Sequence, residues 1–101
     1  MMLTSKQRAY LRGLASTEDT IVIVGKGGIT ENVIAQVSDA LKARELVKGK
    51  VLESSLLTAK EACEALAEAC KAEQVQHIGN KFVLFKRNEK EPMIELPKAK
   101  K

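Results

Sequence analysis

The chain has 101 residues, 45 % of them hydrophobic but only three aromatic, and a net charge of +4. This is one domain with a modest core of Leu, Val, Ile and Ala, and three rings are too few for base stacking to be the main mode of any nucleic-acid binding. No apolar run approaches the ~20 residues of a membrane span and the N-terminus has no signal-peptide core, so a cytoplasmic protein is expected.

Thr4 or Ser5 is placed to cap a first helix. Its apolar stripe is Leu3, Tyr10, Leu11 and Leu14, with Lys6, Arg8 and Arg12 falling largely elsewhere on its surface. After the polar connector Ser16–Asp19, Ile21-Val22-Ile23-Val24 reads as a short buried strand. Gly25-Lys26-Gly27-Gly28 follows at once, and Thr30 stands at the N-cap of a helix over about Glu31–Arg44. The stripe of that helix is Val33, Ile34, Val37, Ala40 and Leu41. From Leu46 to Leu52 the chain alternates, with Val47, Gly49 and Val51 on one face and Lys48 and Lys50 on the other. That pattern is a strand with one wet, basic face, or an edge strand guarded by lysines.

A third helix over about Thr58–Ala72 turns Ala59, Ala62, Cys63, Leu66 and Cys70 inward and Glu61, Glu64 and Glu68 outward. Val75–Ile78 is a short strand, Gly79-Asn80 suits a type II′ hairpin turn, and Lys81–Arg87 returns. In the returning strand Phe82 and Leu84 face one way and Val83 and Phe85 the other, so both faces must meet apolar groups. Pro92 and Pro97 break regular structure in the tail. Met93, Ile94 and Leu96 are candidates to pack on the domain, and residues 98–101 are expected to form a basic, disordered end. The order α-β-α-β-α-β-β predicts a two-layer α/β sandwich with a mixed four-stranded sheet.

Charge is unevenly distributed. Residues 1–15 carry three cations and no acid, residues 51–80 have a net charge of −3, and residues 81–101 a net charge of +4. Such polarity suits a protein that turns one face to a polyanion. Cys63 and Cys70, seven apart on one helix, are separated by about 10 Å at ~1.5 Å per residue. That is too far for a disulfide, so reduced, buried thiols are expected. A metal site using both with His77 matches no common ligand spacing, and no metal or other cofactor is expected.

The glycine loop is the place built to touch an anion. Glycines let another molecule approach the backbone, and the helix start behind them carries partial positive charge. A Walker loop needs Ser or Thr after its lysine, but Gly27 follows Lys26. A dinucleotide fingerprint fits Gly25 and Gly27 but puts Thr30 where Gly or Ala belongs, with Glu53 left to act as the ribose-binding acid. The other reading is a G-x-x-G clamp, as in modules that grip a nucleic-acid backbone. Its position between strand and helix, with Lys26 inside it, favours that reading. Catalysis has little support: His77 has no implied partner, no serine sits in a nucleophile elbow, and the carboxylates line a solvated helix face. A non-enzymatic protein is expected.

Several segments in order resemble the YhbY-type CRM domain. They are Leu3-Thr4-Ser5-Lys6-Gln7-Arg8 with Leu11-Arg12, Gly25-Lys26-Gly27-Gly28-Ile29-Thr30-Glu31, and Glu45-Leu46-Val47-Lys48. Val75-Gln76-His77-Ile78-Gly79-Asn80-Lys81, Val83-Leu84-Phe85-Lys86-Arg87 and Ile94-Glu95-Leu96-Pro97 complete the set. The resemblance spans residues 3–97 and departs from the family's pattern at Ser16, where His is frequent, and at Phe85, where an aromatic hydroxyl is frequent. It implies a single RNA-binding domain over residues 1–97, with a fold like the C-terminal domain of a bacterial translation initiation factor. It further implies association with large-subunit precursors, with ribosomal RNA as the expected partner; a monomer, with ribosomal proteins as further partners, is also expected. The implied RNA contacts are Gly25, Lys26, Gly27 and Gly28, which carry the family's loop. Lys6, Arg8 and Arg12 extend the basic footprint, and Lys48, Lys50, Lys86 and Arg87 are further candidates. A translation-factor-like module that mainly contacts ribosomal proteins and a small nucleotide-binding protein are the alternatives.

Overall fold

The computed structural model describes residues 3–88, 90 and 94. Helix α1 (Ser5–Ala15) starts at a capping box, in which Thr4 Oγ1 accepts the Gln7 N–H and Gln7 Oε1 accepts the Thr4 N–H, both at 3.1 Å. The box draws Gln7 into the buried side of the helix with Leu11 and Ala15. Tyr10, expected on the apolar stripe, is 43 % exposed, since it lies about 100° round the helix from Leu11.

The remaining elements are β1 (Val22–Val24), α2 (Glu31–Arg44), β2 (Leu46–Val51), α3 (Ala59–Cys70), β3 (Glu73–Ile78) and β4 (Lys81–Phe85). Thr30 and Thr58 cap α2 and α3 by accepting the N–H three residues on. Helix α3 stops at Cys70 because Lys71 turns into the left-handed region at φ 55°. The strands lie in the order β1-β2-β4-β3, with β1 parallel to β2 and the other pairs antiparallel. The mixed four-stranded sheet and the α-β-α-β-α-β-β order are those expected. Of the two residues in the β3–β4 turn only Gly79 has a positive φ, 60°, which is the type II′ signature.

Because β2 lies inside the sheet, its lysines do not guard an edge; the basic face is real, the edge position is not. The edges are β1 and β3 instead. The run expected to be buried throughout alternates, with Val22 and Val24 packed under α2 and α3 and Ile23 on the opposite face, in solvent beyond the cover of α1.

The sheet has an apolar core on each face. Helices α2 and α3 cover one face, packing Val37, Leu41, Ala62, Cys63 and Leu66 against Val22, Val24, Val47, Phe82 and Leu84. On the other face α1 sets Leu3, Leu11 and Ala15 against Leu46, Val75, Val83 and Phe85. The expected two-layer sandwich thus gains a third layer of one helix, and both faces of β4 are buried as its sequence requires. Gly49 is the direct partner of Phe82. A methyl group at Gly49 would fall inside the Phe82 ring, so the glycine is what allows the ring to lie flat across β2.

Glu45 turns the chain from α2 into β2 at φ 63° and is completely buried. Its carboxylate accepts the backbone N–H groups of Asn88 and Ile94, each at 2.6 Å. Its carbonyl oxygen accepts the Lys86 N–H at 2.9 Å. Ile94 packs on the α1-side core, as expected. Met93, Leu96 and residues 98–101 lie outside the described residues.

Both cysteines are buried free thiols under α3. Burial, helped by the neighbouring Glu64 carboxylate, pushes the Cys63 thiol up to about 11. Burial also raises Cys70, with the Lys86 ammonium pulling the other way. Groups held this firmly as thiols are poor nucleophiles and poor metal ligands. His77, the imagined third ligand, is exposed on β3.

Candidate nucleic-acid interface

Strands β1 and β2 are parallel, so their C-terminal ends, the start of α2 and the β3–β4 turn share one end of the sheet. The glycine loop sits there. The Gly28 N–H donates to the Gly25 carbonyl at 3.0 Å, closing a turn with Lys26 and Gly27 exposed at its corners. Behind it Thr30 Oγ1 accepts the Val33 N–H at 3.2 Å. The turn therefore leads straight into the positive end of a 14-residue helix. Beside it the loop from Leu52 to Leu57 is joined to β1 by the Leu52 N–H on the Val24 carbonyl at 2.9 Å.

The three glycines have different causes. Gly28 has φ 72°, a left-handed conformation that a side chain resists. A Cβ at Gly25 or Gly27 would make only ordinary contacts, 3.7 Å to Leu52 and 3.6 Å to Thr30, and neither has a positive φ. The fold thus requires glycine at Gly28 alone. At Gly25 and Gly27 the fold has room for a side chain, and the bare backbone leaves the turn open to close approach from outside.

The basic candidates divide between two ends of the molecule. Lys26 is on the turn, and Lys50 lies one strand away, paired with Ile23 of β1. Lys6 and Arg12 are exposed on α1. Two others have structural tasks as well: Arg8 Nε donates to the Gln74 carbonyl of β3 at 3.3 Å, and Lys48 Nζ donates to the Ala15 carbonyl at the end of α1 at 3.3 Å. Lys86 and Arg87 follow β4, at the far end of the sheet from the turn. There they line a hollow with Lys42, Asn88 and Lys90. The structure does not bring them to the glycine loop.

Two neighbours of the turn escaped the sequence reading. Lys81 is the direct partner of Lys50, a pairing that depends on register. Leu56 is 98 % exposed at the tip of the loop beside the turn; its only sequence signal is an apolar residue between two serines and a helix cap. The glutamates of α3 are exposed on the side of the sheet away from α1.

Fold and site together define a small α/β domain with an exposed glycine turn at the start of a helix. The chain belongs to the CRS1/YhbY (CRM) domain family, whose model matches residues 3–86. It is 43 % identical over 96 residues to the Bacillus subtilis protein named "Probable RNA-binding protein YqeI", covering 95 % of this chain and all of that one. It is 38 % identical to a Haemophilus influenzae protein named "RNA-binding protein", covering 95 % and 96 % of the two chains. The solution structure of the hypothetical protein SAV1595 from Staphylococcus aureus superimposes with a TM-score of 0.80 at 47 % identity, covering 95 % of this chain and 100 % of that one. These relatives are named for RNA binding, not for an enzymatic activity.

Proposed function

We propose that this protein is a cytoplasmic, monomeric RNA-binding protein without catalytic activity, and that it binds ribosomal RNA in precursors of the large ribosomal subunit. The glycine turn holds the RNA backbone. Loop amides and the Lys26 ammonium meet phosphate oxygens, with the α2 dipole behind them. Lys6, Arg8 and Arg12 enlarge the cationic field. Phosphate contacts position RNA but do not read its sequence, so selectivity comes from RNA shape and from ribosomal proteins already bound.

One observation carries this reading: at Gly25 and Gly27 the fold has room for a side chain and no positive φ, yet the sequence leaves the backbone bare. The names of the relatives support RNA as the ligand. The test is a filter-binding titration against a fragment of large-subunit ribosomal RNA. Lys26→Asp should weaken binding about tenfold or more without changing the circular dichroism spectrum. The log–log salt slope of the unaltered chain should approach about −0.7 for each single-stranded phosphate contacted. An unchanged affinity for the variant sinks the clamp, and failure of the purified chain to bind RNA points to ribosomal proteins as the main contact. Crosslinking in cells with sequencing of the bound RNA would then name the target.

A further inference from the structure

Four residues form a straight row across the whole sheet. Ile23 of β1 is the direct partner of Lys50, Lys50 of Lys81, and Lys81 of Ile78 on β3. Direct partners share a face. Since Phe82 faces α2 and α3, Lys81 and its row lie on the opposite face, the one α1 covers. Helix α1 covers only part of it, over Leu46, Val75, Val83 and Phe85. The row lies beyond that cover, at the end of the sheet that carries the glycine turn.

The row is unusual for a solvent face. Ile78 is 68 % and Ile23 54 % exposed, so two β-branched side chains stand in water with two lysines between them. The row contains no carboxylate. Beside it the flank of α1 presents Arg8, seated on Gln74 of β3, and Arg12 one turn further along the same flank. An open hollow lined by Arg8, Gln74, Gln76 and His77 runs from Arg8 along β3 as far as the residue before Ile78. The acidic side of α3 faces away, on the other side of the sheet.

We propose that this row is a second RNA track, continuous with the glycine turn, on which a single-stranded segment lies across the strands. The Lys50 and Lys81 ammonium groups meet neighbouring phosphates, and Ile23 and Ile78 take the faces of unstacked bases. Three strand spacings of ~4.8 Å give a track of about 14 Å, the scale on which other four-stranded sheets accept two or three bases. Charge complementarity selects RNA over a second copy of this chain, because a twofold pairing of the row would set lysines against lysines. The inference rests on the RNA-binding reading above and extends it to a surface outside the loop.

The experiment titrates the full, 15N-labelled chain with a single-stranded RNA of about 12 nucleotides and follows backbone amide signals. Signals of Ile23, Lys50, Ile78 and Lys81 should move together with those of Gly25 to Gly28. A Lys50→Gln, Lys81→Gln double variant, folded by circular dichroism, should bind about tenfold more weakly, with a salt slope shallower by about 1.4. If the unaltered chain binds, Lys26→Asp weakens it, and both the double variant and the row signals are unaffected, the track is overturned and the clamp stands. If the row responds while Lys26→Asp has no effect, the track stands and the clamp falls. Row signals that move with protein concentration in the absence of RNA would overturn the track in favour of self-association, and no RNA binding at all would overturn both.

Discussion

At the scale of single residues, Gly27 and Gly28 make opposite demands despite being neighbours. Alanine at Gly28 forces a side chain into φ 72°, at a cost of about 1–2 kcal/mol. In a domain of this size that lowers the melting temperature by roughly 4–8 °C per kcal/mol. Alanine at Gly27 meets only Thr30 at 3.6 Å, so stability should stay within about 0.5 kcal/mol of the original while RNA affinity drops. Thermal melts paired with binding titrations of the two variants check this; a Gly27→Ala chain that binds normally would remove the reason for bare backbone there. Cys63 gives a separate, pH-dependent signature. Its folded value of about 11 lies above the ordinary 9.0, so the folded chain keeps a proton that the unfolded chain releases. Its contribution is complete below about pH 9 and declines as pH rises towards 11. Chemical denaturation at pH 8 and pH 10 should show a larger loss for the original chain than for Cys63→Ala, which has no thiol to ionise.

At the scale of elements, helix α2 was legible to the residue, because Thr30 marks its start and Glu31–Arg44 keeps an unbroken apolar stripe. The inward side of α3 was legible for the same reason, and the β3–β4 hairpin was fixed by Gly79-Asn80. What misled was neighbourhood. Ile21 to Val24 has the composition of a buried strand, but burial depends on cover over both faces; α2 and α3 cover Val22 and Val24, while α1 does not reach the face that carries Ile23. Strand β3 begins at Glu73, two residues before Val75, because an edge strand tolerates polar side chains that hide its start. The irregular step between Gln74 and Gln76 leaves no mark in the composition. The candidate site divides likewise. The glycine turn is contiguous in sequence and was visible, whereas the nearness of Lys50 to Lys81 and the remoteness of Lys86 and Arg87 follow from register alone.

At the scale of the whole molecule, one sheet separates two unequal cores. The α2–α3 side draws on three strands, β1, β2 and β4, and on both long helices. The other side relies on α1 resting on a few residues of β2, β3 and β4, with Ile94 moored beside it by the buried Glu45 carboxylate. Charge follows the same division: the cations of α1 and of the exposed sheet row lie on the side of the smaller core, and the glutamates of α3 on that of the larger. The molecule is therefore polar in both senses, with the cations of α1 and the sheet row on the side of its less massive core.

That asymmetry has a consequence for motion. Elements held by fewer buried apolar contacts open in partial unfolding events of lower free energy than global unfolding. Helix α1 should thus detach while β2, β4 and α3 stay folded. In deuterium-exchange measurements the amides of Lys6 to Leu14 should exchange through an opening cheaper than that of Val47 or Leu84. Arg8 and Arg12 travel with the helix, so bound RNA should slow exchange in α1 more than in the central strands. Equal protection of α1 and β4 in the free chain would show that the two cores act as one cooperative unit. Opening in that order would make the N-terminal helix a hinged cover, and the same exchange measurements with and without RNA show whether a polyanion holds it closed.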